Sequence, residues 1–225
     1  MRLIKTVDNV FTLFSDRFNE SYHSVGEGAM RETIEKHIRP AFTYAQIGDR
    51  ARVLDVCFGL GYNALAALDF FGDEIEIVSP EIDKELIAYL PRHLYPIEFE
   101  KYRPMIAKIA SDFYYKDDRV SIEVKIGDAA DIIQELEGEF DVIFQDPFSI
   151  RNNGELWSEQ FFAALYRLLR STGVLTTYSA SHLARTRMKN AGFFLYAHSF
   201  TKESGLRRGT IASKIEIEEL KCLRV

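Results

Sequence analysis

Two aspartates, each at the end of an apolar run, are the groups in this chain best placed to do chemistry. Asp55 lies in Arg52-Val53-Leu54-Asp55-Val56-Cys57-Phe58, which runs directly into Gly59-Leu60-Gly61. Asp146 follows Phe140-Asp141-Val142-Ile143-Phe144-Gln145 and opens Asp146-Pro147-Phe148-Ser149. A carboxylate in a buried strand is costly unless something matches it. Glycines just beyond the strand let the backbone turn sharply and let a ligand come close to it.

Gly59-Leu60-Gly61-Tyr62-Asn63-Ala64 fits the G-x-G-x-x-A pattern of a dinucleotide turn, and Glu81 falls near the spacing of a ribose-binding acid. Asp55 argues against a pyrophosphate, which it would repel. S-adenosylmethionine carries a sulfonium and an ammonium and no phosphate, so nearby carboxylates favour it. Glu81 can accept both ribose hydroxyls or stand as a solvated strand end. Asp128, in Ile126-Gly127-Asp128-Ala129, can accept from the adenine amine, with Ala129 leaving room for the ring. Asp128 also suits a helix N-cap, and the two roles can coexist.

Asp146-Pro147-Phe148-Ser149 is the sharpest element. Pro147 lacks an N–H and fixes the chain direction, and Phe148 offers a flat wall to a planar substrate. The turn resembles the Asp/Asn-Pro-Pro-Tyr/Phe turn of enzymes that methylate exocyclic amines, with one proline fewer. An acceptor here orients the N–H bonds of an amine and holds the proton that must leave. A free aliphatic amine has a pKa of about 10, so its lone pair must be uncovered before attack. The alternative role for Asp146 is to cap the turn that follows. His23, His37, His93, His182 and His198 show no metal-ligand spacing and read as surface or core residues.

These residues need a scaffold that brings strand ends together. Strand patterns cover Arg52–Phe58, Glu74–Ser79, Val120–Ile126, Phe140–Gln145, Gly173–Ser179, Phe193–Phe200 and Thr210–Ile215. Helical spacing covers Tyr62–Phe71, Lys84–His93, Asp131–Glu137, Glu155–Leu169 and Ala180–Asn190. Such alternation predicts a mostly parallel sheet covered on both faces. The short connection between the last two strands has no room for a crossover helix, so the last strand should be antiparallel. That is the α/β, Rossmann-like, seven-stranded sheet of a class I S-adenosylmethionine-dependent methyltransferase. Residues 1–45 are expected to add a hairpin, an ordered loop over Ser15–Ser24 and a helix to a 46–225 core. The proline- and tyrosine-rich stretch 85–118 is expected to form two short helices over the site.

At 225 residues, 47% hydrophobic and 28% charged, the chain fits one globular core. It has no apolar run long enough to cross a bilayer and no signal peptide, and its two cysteines form no disulfide framework. A cytoplasmic protein without membrane partners is the expectation. The net charge of −6 hides an asymmetry. Between His182 and Arg208, Arg185, Arg187, Lys189, Lys202, Arg207 and Arg208 face the single acid Glu203. This segment is either a solvated helix face with a loop or a surface for an anionic partner.

Separated segments of the chain resemble one family, the MnmC-like methyltransferase domains of tRNA wobble-uridine modification. They are Ser15–Ser24, Phe58-Gly59-Leu60-Gly61-Tyr62-Asn63, Phe140–Ser149 with Asn153-Gly154-Glu155-Leu156-Trp157, and Gly205–Ser213. The resemblance implies S-adenosylmethionine-dependent methylation of the amine of 5-aminomethyl-(2-thio)uridine at position 34, in a tRNA anticodon loop. The product is the 5-methylaminomethyl form. It implies Asp146 as the catalytic aspartate, with Asp55, Phe58, Gly59, Gly61, Asn63, Glu81, Asp128 and Ala129 at the cofactor. It places Tyr22, Phe148 and Trp157 near a splayed base, and the basic residues of 182–208 on phosphates. It also implies a form without the fused oxidoreductase domain. An alternative use of the same fold is methyl or aminopropyl transfer to a small amine. Neither motif nor composition fixes the oligomeric state.

Overall fold

A computed structural model describes residues 1–71, 74–198 and 208–223. The N-terminal part is a three-stranded antiparallel sheet of β1 (Arg2–Lys5), β2 (Phe11–Ser15) and β3 (Glu20–Ser21). A helical segment follows: α1 (Ala29–Glu32), a π-helical turn over Thr33–Ile38, and α2 (Arg39–Tyr44). Pro40, at the start of α2, lacks the N–H that an α-helical ladder needs, and the helix widens just before it.

The core alternates strands and helices: β4 (Ala51–Val56), α3 (Tyr62–Phe70), β5 (Ile75–Glu81), α4 (Lys84–Tyr89), α5 (Arg103–Asp112), β6 (Tyr114–Lys116) and β7 (Val120–Ile126). It continues through α6 (Ala129–Glu135), β8 (Phe140–Gln145), α7 (Glu159–Leu168), β9 (Leu169–Thr177), α8 (His182–Asn190), β10 (Phe194–His198) and β11 (Gly209–Ser213). The sheet order is β10-β11-β9-β8-β4-β5-β7-β6. The five inner strands β9-β8-β4-β5-β7 are parallel, while β11, β10 and β6 pair antiparallel.

All six residues of β8 are buried, as expected of a parallel strand covered on both faces. Successive strand residues point to opposite faces, so Val53 and Val142 enter one core while Leu54 and Ile143 enter the other. Asp83, Asp128, Ser158 and Ser181 cap α4, α6, α7 and α8 through their side chains.

Three features extend or correct the sequence reading. The main sheet has an eighth strand, because Tyr114–Lys116 adds an antiparallel edge to β7. At three residues it is too short for alternation to show. Glu20 and Ser21, inside the expected loop, form β3 against β2. The helices between residues 85 and 118 do not line the cavity described below. They pack beside α3, where Tyr62, Tyr95 and Phe99 cluster and the Tyr95 hydroxyl donates to the Leu60 carbonyl at 2.8 Å. No helix among the described residues is long and apolar enough to cross a membrane.

Candidate active site

The chain passes from β4 through α3 to β5 on one side, while β8 lies on the other side of β4. The crevice at the carboxyl ends of such a pair is where ligands bind in open α/β sheets. The register Asp55↔Phe144 and Val56↔Gln145 sets the next two residues, Cys57 and Asp146, abreast at that rim. A cavity of about 860 Å³ opens there. The glycine turn, Glu81, Asp146–Phe148 and the N-terminal residues Phe18 and Glu20–Ser24 are among its walls.

The β4–α3 turn is built from unusual backbone. Cys57, Gly59 and Gly61 have φ of 72°, 54° and 75°, the left-handed region. A Cβ on Gly61 would sit 2.9 Å from the Phe58 ring, so that position is closed to a side chain. Glu81 locks the turn: its carboxylate accepts from the Gly59 N–H and the Asp83 N–H, both at 2.8 Å. Burial still pushes its pKa up, against the lowering effect of those bonds.

Asn63, in the first turn of α3, joins the two aspartates. Its amide donates to Asp146 Oδ2 at 2.8 Å and to Asp55 Oδ1 at 3.5 Å. Asp55 is fully buried and its Oδ2 has no hydrogen-bond partner. Burial, then the nearby charge of Asp146, raises its pKa well above the ordinary aspartate value. Asp146 is the opposite case. Burial pushes its pKa up, but the His37 imidazole, helped by His23 and Asn63, outweighs this and holds it below the usual value. Asp146 therefore stays ionised at neutral pH.

The turn after Asp146 is held from three directions. Tyr178 donates to the Pro147 carbonyl at 3.1 Å, Trp157 Nε1 to the Phe148 carbonyl at 2.8 Å, and Gln145 to the Leu156 carbonyl at 2.6 Å. The Phe148 ring stacks on Phe18 with centroids 4.7 Å apart and meets Tyr22 at 5.0 Å. Glu20 ties this turn to the N-terminal sheet. It accepts from Ser149 Oγ and Asn152 Nδ2, each at 2.7 Å, and from the Ser149 N–H at 3.2 Å. Lys36 is buried between Glu27 and Glu32, and Glu32 accepts from the Ser24 N–H at 2.7 Å.

Of the residues singled out in the sequence, Asp146, Tyr22, Phe58, Gly59, Asn63, Glu81, Phe148 and Arg208 line the cavity. Asp55 lies just behind Asn63, and Gly61 shapes the turn from within. Asp128 is exposed and caps α6 by accepting from the Ala130 N–H at 2.8 Å, while Ala129 packs into the core; neither lines the cavity. Trp157 is 1% exposed, so it braces the Phe148 backbone and offers no open face to a base. Arg185 donates to Thr210 Oγ1 and the Gly209 carbonyl, and Arg187 to the Trp157 carbonyl, so both work within the fold. Lys189 is exposed on α8, and Lys202 and Arg207 lie outside the described residues.

The sequence reading passed over His37, His23, Glu20 and Lys36. One signal was present: Glu32, Thr33, Lys36 and His37 form a polar stripe at helical spacing on a segment that also carries apolar Ile34 and Ile38. In the structure all four polar residues are buried.

Comparison with known proteins names the chemistry. The profile of the S-adenosyl-L-methionine-dependent methyltransferase family matches residues 97–215, just over half of the chain. An uncharacterized protein of Methanocaldococcus jannaschii is 32% identical, over 94% of this chain and 59% of its own. The tRNA 5-methylaminomethyl-2-thiouridine biosynthesis bifunctional protein MnmC of Pseudomonas syringae pv. syringae is 27% identical over 78% of this chain. The chain spans only 29% of that relative's length. The crystal structure of MnmC2 from Aquifex aeolicus superimposes with a TM-score of 0.83 and 31% identity, over 95% of this chain and 70% of that one. A methyltransferase from Pyrococcus furiosus, at TM-score 0.52 and 20% identity, shares the fold.

The site fits the family's cofactor, S-adenosylmethionine. Its described walls carry carboxylates beside the glycine turn, and just behind Asn63 the buried Oδ2 of Asp55 lacks a partner. The chain belongs to the S-adenosyl-L-methionine-dependent methyltransferases, within the MnmC-like domain family.

Proposed function

We propose that this enzyme methylates the primary amine of 5-aminomethyl-(2-thio)uridine at wobble position 34 of tRNA, giving the 5-methylaminomethyl nucleoside. The observation that carries the reading is Asp146, kept ionised beside a wall of Phe148, Phe18 and Tyr22 at the switch point of the sheet. S-adenosylmethionine supplies the electrophilic methyl group. On this reading Asp55, Glu81 and the Phe58–Gly61 turn hold the cofactor, with Asn63 between it and Asp146. Asp128 and Ala129 take its adenine end, a role compatible with the N-cap because a carboxylate has spare lone pairs. Asp146 orients the acceptor N–H bonds, and the aromatic wall stacks the uracil ring. Arg208, at the cavity wall, takes a neighbouring phosphate, and Lys189, Lys202 and Arg207 are proposed to take further phosphates. A cytoplasmic location belongs to the same proposal.

The acidic lining favours a second reading. Glu20, Glu27, Glu32, Glu81 and Asp146 outnumber Lys36 and Arg208 around the cavity, a composition that suits a small polyamine. Against it, Lys36 pairs with both Glu27 and Glu32 and offsets one of their charges, and Glu20 and Glu81 are occupied by hydrogen-bond donors.

Methyl transfer from labelled S-adenosylmethionine to tRNA carrying 5-aminomethyl-uridine, with mass analysis of the nucleosides, separates the two. A 5-methylaminomethyl product that vanishes in Asp146→Ala supports the tRNA reading. Tight cofactor binding without transfer to tRNA, but with transfer to small amines, replaces it.

A further inference from the structure

His37 has no role in the reading above, yet it occupies a singular position. It lies on the π-helical turn, is fully buried, and packs edge-on against Phe144 of β8. Its Nδ1 is 3.1 Å from Thr176 Oγ1 on β9, and its Nε2 is 3.4 Å from Asp146 Oδ1 without a hydrogen-bond partner. A buried ring nitrogen 3.4 Å from a carboxylate, with no hydrogen bond made, is a polar atom the fold leaves unused beside the acceptor site.

The geometry points to His37 as the proton-holding partner of Asp146, in an Asp146–His37–Thr176 chain that uncovers the acceptor amine for methylation. The inference rests on the amine-methylating reading of the site. His37 acts through Asp146 and does not line the cavity itself.

The chemistry follows from the three partners. The Nδ1–H tautomer donates to Thr176 Oγ1, which leaves the Nε2 lone pair facing Asp146. The acceptor arrives as R–CH₂–NH₃⁺, since its pKa is about 10. Its proton passes through Asp146 to Nε2, and the resulting imidazolium faces the carboxylate as an ion pair. The freed lone pair forms the new N–C bond, the electrons of the sulfur–methyl bond staying with sulfur. The product leaves as R–CH₂–NH₂⁺–CH₃, and the proton on His37 is the one that each turnover returns to solvent. Asp146 owes its lowered pKa chiefly to a charged His37, so the shared proton is held on the imidazole side of the pair.

Other groups around the pair leave this role to His37. Asp55 from β4 and Glu32 from α1 have raised pKa values through burial, and so do the Cys57 thiol and the Tyr178 hydroxyl. His23, following β3, is pushed down to about 4 by burial and stays neutral. Asn63 from α3 supplies a fixed N–H and no titrating group.

The test compares wild type with His37→Gln across pH on tRNA bearing the aminomethyl group. Glutamine can still reach Thr176 and Asp146 but cannot take the proton. The expected result is a kcat about 100-fold lower at neutral pH, recovering up to about tenfold per pH unit as solvent deprotonates the amine. KM for tRNA and affinity for S-adenosylhomocysteine should hold. An unchanged kcat, or a loss without recovery at high pH, overturns the inference. Should His37→Gln fail to fold, Thr176→Val should show the same pH signature with a smaller loss, and its absence also overturns the inference. Ring-nitrogen NMR of the free protein supplies a readout independent of substrate. An unprotonated Nε2 whose resonance moves in Asp146→Asn is expected, and an Nε2–H tautomer overturns the inference. If wild type transfers no methyl to this tRNA, the substrate reading fails on its own, and the NMR result still decides whether the pair exists.

Discussion

The two walls of the cavity are built by different means. The cofactor wall, from β4 to Glu81, is backbone: left-handed residues, a glycine with no space beside it, and a carboxylate clamping two N–H groups. The acceptor wall is side-chain chemistry between distant segments. Glu20 reaches Ser149 and Asn152, His37 reaches Asp146, and Lys36 with Glu32 and Ser24 pins the N-terminal segment. A backbone wall is set once the strands pair and changes little between ligands. A wall of ion pairs can be retuned by single substitutions, which suits the side that meets the variable partner. Fold alone does not fix substrate, and here the division shows where substrate choice resides.

The sharpest way to break this division is Asp146→Ala. Turnover should fall by about 10²–10⁴-fold while S-adenosylhomocysteine still binds, as titration calorimetry would show. Equal losses in both would place Asp146 on the cofactor wall and erase the distinction.

Gly61→Ala attacks the other wall. An alanine there combines a φ of 75° with contact on the Phe58 ring. A stability loss of about 1–3 kcal/mol is expected, together with weaker cofactor binding, from thermal melts with and without ligand. Glu20→Ala should cost about 1–3 kcal/mol by leaving the Ser149 and Asn152 donors unpaired. Its kinetic signature should be a raised KM for the acceptor with cofactor affinity intact.

The smallest effect concerns pH. A carboxyl whose pKa is raised on folding binds its proton more tightly when folded. Its stabilising effect is greatest at low pH and declines as pH climbs from the ordinary aspartate value towards the raised one. Asp55, Glu81 and Glu32 act in this sense. Asp146 acts in the opposite one: its contribution is present above the ordinary value and lost as pH falls through the lowered one. Asp55→Asn should therefore leave the ligand-free protein equally stable at pH 7, or more so by about 1 kcal/mol. It should flatten the decline in melting temperature as pH rises above the ordinary aspartate value of about 4, and weaken cofactor binding. A variant much less stable than wild type at pH 7 would show that Asp55 is paired in the free protein.

The local pattern of the chain determined the scaffold. Buried runs such as Phe140–Gln145, the glycines at 59 and 61 and the alternation of periods fixed the strand ends, and with them Asp55, Glu81 and Asp146. These were legible because a parallel sheet delivers its strand ends to one edge, whatever the loops do. The fate of Trp157, Arg185 and Arg187 was not legible, since a residue type does not say whether a partner lies within reach. His37 was read as an ordinary histidine for the same reason. Its partners Asp146 and Thr176 are more than a hundred residues away in the chain, and only the packing of the N-terminal helix over β8 and β9 brings them to it. Sequence thus decided which strand ends carry acids. Tertiary structure decided which of those acids are paired, buried or free to act, because desolvation and hydrogen bonding depend on neighbours in space.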